Sequence, residues 1–305
     1  MKFSHKDIIS INDFSKEDIL YFLSLAKKME KNASPSLLKG KIMALLFFEP
    51  STRTRLSFAS AHERMGGEVM GITDSGTSSM QKGETLWDTI KMAERFADII
   101  VIRHPLEGSA RLAAQASSKP VINAGDGANQ HPTQTLLDLY TIQKSKGTLE
   151  GLRVGMLGDL KYGRTVHSLV SALAHFGCEF TFIAPDALQM PRSYLDMLNK
   201  KRIKYRITQQ MMDPLSNLDI LYVTRIQKER FPDPLEYERY KGVYKVDRKI
   251  LPLIKKDLRI MHPLPRVDEI DTAIDSTEHA LYFEQAANGV PVRQALLGLL
   301  LGKLK

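Results

Sequence analysis

Phe47-Phe48-Glu49-Pro50-Ser51-Thr52-Arg53-Thr54-Arg55 sets hydroxyls and two arginines just past an apolar run, ahead of helically spaced Phe58, Ala61 and Met65. A helix starting there turns free N–H groups and the positive end of its dipole toward any bound anion, and the hydroxyls and guanidiniums add donors suited to phosphate. A capped helix with solvated arginines is the ordinary alternative. Four polar residues in a row, Ser51 to Thr54, at the end of a strand favour anion binding, because open α/β sheets bind ligands at strand carboxyl ends. Arg103 closes the apolar run DIIVIRH and Arg225 closes LYVTR, so each puts a cation where a strand stops. Arg164 opens a helix and is available for a carboxylate. His131-Pro132-Thr133-Gln134 follows the turn-rich GDGANQ, which holds an imidazole and an amide on a loop and first helical turn. His262-Pro263-Leu264-Pro265-Arg266 has two prolines around Leu264, a rigid backbone whose carbonyls are free to accept N–H bonds.

The elements that must position these residues alternate between strand-like and helix-like patterns along the whole chain. That pattern predicts an α/β protein with two doubly wound parallel-sheet domains. Strands are expected at Lys41 to Phe48, Glu68 to Thr73, Asp98 to Arg103 and Pro120 to Ala124, then at Arg153 to Leu157 and near Phe180, Ile220 and Ile260. Apolar periodicity stops in the polar, glycine-bracketed KSKGTLEG, Lys144 to Gly151, so a first domain is expected over 1–145 and a second over 146–287. The last helix, within 288–305, is expected to pack back on the first domain. The 155–164 segment, GMLGDLKYGR, joins a strand to a helix but lacks G-x-G-x-x-G spacing, which argues against a dinucleotide site.

The chain has 305 residues, 43 % hydrophobic and 26 % charged, with a net charge of +8. This is globular composition with length for two domains. The longest apolar stretches, Ile42 to Phe48 and Ala295 to Leu301, fall far short of the roughly 18 residues of a membrane span. The opening MKFSHKD has no apolar core of signal-peptide type, so a cytoplasmic protein is expected, with no membrane partner. The excess of cations is spread singly over strand ends instead of being massed with aromatics on one element, which argues against nucleic acid. The single cysteine, Cys178, allows no internal disulfide and no thiolate metal cluster, and its place between an apolar helix and a strand suits packing.

Ser-Thr-Arg-Thr-Arg after an apolar strand resembles the carbamoyl phosphate signature of the aspartate and ornithine carbamoyltransferases, and later segments match that family in order along the whole length. The resemblance implies a carbamoyl phosphate-binding domain and a Rossmann-like amino-acid domain, with no metal and no organic cofactor. It assigns Ser51, Thr52, Arg53, Thr54, Arg103, His131 and Gln134, with the carbonyls of Leu264 and Pro265, to carbamoyl phosphate. Thr54, Lys82, Arg103 and His131 become the catalytic set, and Lys82, Arg164, Arg225 and Gln227 the amino-acid set. The polar loop Asp74 to Glu84 resembles the family's swinging loop, which implies a homotrimer whose neighbouring subunit donates Ser78 and Lys82. The adjacent Ser79 leaves the serine register open. The family's regulatory chains are a candidate partner. An ornithine enzyme carries a Ser-Met-Gly loop and His-Cys-Leu-Pro, whereas this chain has no SMG and has Pro263 for that cysteine. With Arg225 available for a second carboxylate, the expected substrates are carbamoyl phosphate and L-aspartate, giving N-carbamoyl-L-aspartate and phosphate in pyrimidine synthesis.

Overall fold

Runs of β-branched and large apolar residues form the central strands, because a parallel strand covered on both faces has no side to leave polar. Ile99 to Ile102 are at most 1 % exposed, and each such side chain contributes about 1.5–3 kcal/mol by leaving water. A computed structural model describes residues 5–72, 83–226 and 234–304. The chain falls into two units, Met1–Tyr140 with Asn288–Lys305, and Thr141–Ala287.

The first unit has a four-stranded parallel sheet of β1 (Ile42–Phe47), β2 (Glu68–Ile72), β3 (Ile99–His104) and β4 (Val121–Asp126), in the order β2-β1-β3-β4. Around it lie α1 (Lys16–Asn32), α2 (Thr52–Glu63), α3 (Leu86–Phe96), α4 (Ser109–Ala116) and the start of α5 (Pro132–Lys146). The strand order reverses at β1, so the carboxyl ends of β1 and β3 form a topological switch point. Two helix starts are locked by their own side chains: Ser15 and Asp18 make a reciprocal capping box on α1, and the Thr85 side chain accepts from Asp88 N–H on α3. The C-terminal helix, Gly289–Leu300, packs on α1 and α2.

The second unit has five parallel strands, β5 (Arg153–Leu157), β6 (Glu179–Ile183), β7 (Tyr205–Thr208), β8 (Ile220–Val223) and β9 (Arg259–Met261), in the order β7-β6-β5-β8-β9. Its helices are α6 (Arg164–Leu173), α7 (Arg192–Lys200), α8 (Pro234–Tyr240) and α9 (Tyr282–Ala287). Reversal here falls at β5 and β8. Sequence reading names no strand at β7, and its edge position explains why: Tyr205 to Thr208 are all partly or fully exposed, so the run lacks the apolar density that marks the central strands. Cys178 is buried, its thiol donates to the Leu149 carbonyl at 3.1 Å, and burial pushes it up to about 12.

Candidate active site

In the first unit, β1 and β3 run side by side with Phe47 paired to Arg103, and Phe48 N–H donates to the Arg103 carbonyl at 2.8 Å. The chain leaving β1 therefore starts α2 beside Arg103. Ser51 holds the N-cap position in extended conformation, yet its side chain makes no cap hydrogen bond. The first-turn N–H groups of α2 thus lack the acceptor that Ser15 and Thr85 supply elsewhere, which is the condition for binding an external anion. Thr52 and Arg53 are exposed there, while Thr54 is 8 % exposed. The Arg103 guanidinium is held in place, with Nη2 3.0 Å from Glu49 Oε2 and Nη1 donating to the Ala124 carbonyl at 3.2 Å.

His131 and Gln134 reach the same sheet edge by way of β4. Their loop is built on Asp126, 1 % exposed, whose carboxylate accepts from Gly108 N–H (3.0 Å), Asn123 Nδ2 (2.9 Å), Asn129 Nδ2 (3.0 Å) and Gln130 N–H (3.1 Å). Gly127 adopts φ +54° where an added Cβ would sit 2.9 Å from the Pro105 carbonyl, so only glycine fits this turn. His131 is buried, and its carbonyl accepts from Gln134 and Thr135 N–H to begin α5. Gln134 Nε2 donates to Asp138 Oδ1 at 2.9 Å, which turns the amide oxygen away from Asp138. Beneath α2, the buried Arg293 donates to Ser57 Oγ at 2.9 Å and lies over the Phe58 ring at 4.8 Å. Burial pushes its guanidinium down to about 10, opposed by the charge of Asp138. Sequence reading did not single out Asp126, Asp138 or Arg293. An Asp-Gly pair in a loop reads as a turn, and its four bonds are visible only once the chain is folded.

The second unit gathers its residues at the carboxyl ends of β5, β8 and β9. Gly158, at φ +115°, lets the chain leave β5 hard against β8, where a Cβ would lie 2.2 Å from the Thr224 carbonyl. The turn that follows is fixed by Asp159 Oδ1 accepting from Tyr162 N–H at 2.9 Å and by the buried His167, whose Nε2 lies 2.7 Å from the Leu160 carbonyl. Burial lowers the His167 pKa, keeping the ring neutral and a donor to that carbonyl. Arg164 opens α6 after Gly163, again with no side-chain cap. Arg225 follows β8 and lines a small cavity with Gly158, Thr224, Tyr237, Lys241, Asp268 and Glu269. Lys241 and Tyr237 are additions that no periodic pattern announced. After β9, Leu264 takes φ +56° and the Leu264–Pro265 peptide is cis.

Ser51, Thr52, Arg53, Thr54, Arg103, His131 and Gln134 therefore sit on three neighbouring strand ends of one sheet. Arg164, Arg225, Leu264 and Pro265 do the same on the other. Ser78, Lys82 and Gln227 lie outside the described residues. Among the described residues, no group of three or more His, Cys, Asp or Glu side chains is arranged to hold a metal ion, and no helix is long and apolar enough to cross a membrane.

Residues 6–144 match the family described as aspartate/ornithine carbamoyltransferase, carbamoyl-P binding domain, and residues 150–300 match its Asp/Orn binding domain. The chain is 55 % identical over 309 residues to the aspartate carbamoyltransferase catalytic subunit of Thermococcus onnurineus, covering 100 % of both. Among solved structures it resembles the catalytic subunit of M. jannaschii aspartate transcarbamoylase, with a TM-score of 0.91, 52 % identity and 98 % of each chain covered. It also resembles aspartate transcarbamoylase from Trypanosoma cruzi in complex with carbamoyl phosphate and aspartate, with a TM-score of 0.91, 38 % identity and 95 % of each chain covered.

Proposed function

Since the chain belongs to the aspartate/ornithine carbamoyltransferase family, we propose that it transfers the carbamoyl group of carbamoyl phosphate to the amine of L-aspartate. The observation that carries this reading is the start of α2, where the N-cap Ser51 side chain makes no cap hydrogen bond, beside Arg103 and the buried His131. Ser51 to Thr54 hold the phosphate through hydroxyls, first-turn N–H groups and Arg53. Thr54, Arg103 and His131 donate to the carbamoyl oxygen, and Gln134 with the Leu264 and Pro265 carbonyls holds the carbamoyl NH₂. Arg164 and Arg225 grip the two carboxylates of aspartate, which presents its neutral amine to the carbonyl carbon. The new C–N bond forms, the oxyanion of the tetrahedral intermediate is stabilised by those donors, and the C–O bond to phosphate breaks. The departing phosphate takes the amine proton, so no nucleophilic side chain is required.

Aspartate is favoured over ornithine by Arg225, which follows β8 and suits a second carboxylate, and by Pro263 standing where an ornithine enzyme has cysteine. Ureido product assayed with each amino acid tests this: aspartate should be used at least ~100-fold better in kcat/KM, about 2.7 kcal/mol. Equal use of ornithine sinks the reading. The active species is a cytoplasmic homotrimer, the neighbouring subunit supplying Ser78 and Lys82, with regulatory chains as a further partner. Mixed trimers of Lys82→Ala and Arg53→Ala chains should then regain activity that neither parent has. Hybrids no better than the parents would remove the shared site.

A further inference from the structure

His262 and Glu269 are both buried, at 1 % and 8 % exposure, and they meet through Nε2 and Oε1 at 2.7 Å. On the other side of the ring, Leu264 N–H donates to Nδ1 at 2.8 Å. A backbone N–H can only donate, so Nδ1 carries no proton, and the ring proton sits on Nε2 and is given to Glu269. The second oxygen, Oε2, accepts from Val267 and Asp268 N–H at 3.1 Å each. The Gln285 side chain accepts from His262 N–H at 2.9 Å. All four polar side-chain atoms of this pair are thus spent within the segment 262–269.

That segment needs holding. Leu264 has φ +56°, the left-handed region, which costs a non-glycine residue free energy unless a local bond supports it. The bond from its own N–H to His262 is that support. Burial lowers the His262 pKa against the opposing hydrogen bond and charge of Glu269, with smaller help from the charges of Arg266 and Arg225, which favours the neutral ring that the Leu264 N–H to Nδ1 bond requires.

We infer that Glu269 and His262 form a positioning relay in which the carboxylate fixes the imidazole tautomer, and the imidazole fixes the backbone at Leu264 so that the Leu264 and Pro265 carbonyls face the carbamoyl NH₂ and the incoming amine. The relay rests on the carbamoyl transfer proposed above. In this relay both side chains act through the backbone of Leu264 and not on the reacting atoms. Its chemistry makes a contrary demand on two substitutions at position 262. Asparagine, smaller and polar, can still accept the N–H two residues on, as in an Asx turn. Leucine fills more of the buried space but accepts nothing.

The experiment compares His262→Asn, His262→Leu and Glu269→Gln by kcat, aspartate KM and melting temperature. His262→Leu should lose on the order of 10²-fold in kcat, because displacement of reacting groups by about 1 Å costs that much, while His262→Asn keeps kcat within about fivefold despite its lower melting point. Glu269→Gln should lose ~10-fold, since one amide oxygen cannot serve both the imidazole and the two backbone N–H groups. Ile274→Val, a fully buried core change in the same unit, should lower melting and leave kcat alone. A His262→Leu enzyme at least as fast as His262→Asn, or a Glu269→Gln enzyme with wild-type kcat, overturns the relay alone. A wild-type chain that forms no ureido product from aspartate overturns the reading beneath it and the relay together. As a measure independent of turnover, ¹⁵N-histidine spectra should show His262 as the Nε2–H tautomer, and an Nδ1–H ring overturns the relay whatever the kinetics.

Discussion

The two sheet edges solve the same problem with different materials. In the proposed reaction the first unit meets its ligand with hydroxyls, a helix start and Arg103, all carried on or beside adjacent strands whose pairing fixes their spacing. The second, on the same proposal, relies on single arginines, Arg164 and Arg225, and on the carbonyls of the loop that carries the cis Leu264–Pro265 peptide. Phosphate and a developing oxyanion reward many donors held rigidly, whereas an amino acid must enter, be gripped by its charged ends and leave as product. A compact donor nest suits the first task, and separated point contacts suit the second.

That contrast is sharpest where charge is removed. Arg103→Ala should cost about 10³-fold in kcat/KM, or ~4 kcal/mol, if the proposed role holds and the lost cation faces the oxygen where charge develops. Arg225→Ala should instead raise the aspartate KM by ~10²-fold and change the carbamoyl phosphate KM little, the pattern of lost ground-state binding. Steady-state kinetics with each substrate varied in turn checks both. An Arg225→Ala enzyme impaired equally toward both substrates would erase the division of labour between the units.

The same division governs what was legible in the sequence. Ser51 to Arg55 could be read because its chemistry is contiguous and lies at a predicted strand end, and the alternation of apolar runs revealed two parallel sheets. Arg164 and Arg225 were singled out chiefly through the family resemblance, since one arginine at one strand end carries little information. The supports of both edges were invisible. Asp126 accepts from four donors on residues 108, 123, 129 and 130, and Glu269 meets a histidine seven residues away. Such bonds depend on which backbone groups the fold brings near, and periodicity does not encode that. The edge strand β7 escaped for a related reason: its exposure removed the apolar signal.

Asp126 offers a middle-sized test of how far rigidity matters to the first edge. Asp126→Asn keeps the volume but replaces one carboxylate oxygen by an NH₂, so two of the four donors lose their acceptor. The expected cost is about 2–4 kcal/mol of stability, seen as melting lowered by roughly 4–8 °C or more. The folded fraction should also lose kcat, because His131 hangs on that loop. Retained kcat with lowered melting would show that the loop tolerates slack, and the two edges would be less different than their hydrogen bonds imply.

The smallest effect separates helix starts within the first unit. Ser15 and Ser51 occupy the same N-cap position on α1 and α2, yet only Ser15 caps its helix. Ser15→Ala removes a hydrogen bond to Asp18 N–H and opens the capping box, so it should cost about 1 kcal/mol and leave turnover unchanged. Ser51→Ala removes no cap bond and should change stability by no more than about 0.5 kcal/mol, while lowering kcat/KM for carbamoyl phosphate by ~10-fold as one phosphate donor disappears. Melting curves and kinetics on the pair test this directly. The reciprocal pattern arises because a hydroxyl spent on its own helix is not available to a ligand. If Ser51→Ala loses stability like Ser15→Ala and keeps its turnover, the start of α2 is an ordinary cap and the donor nest loses its first member.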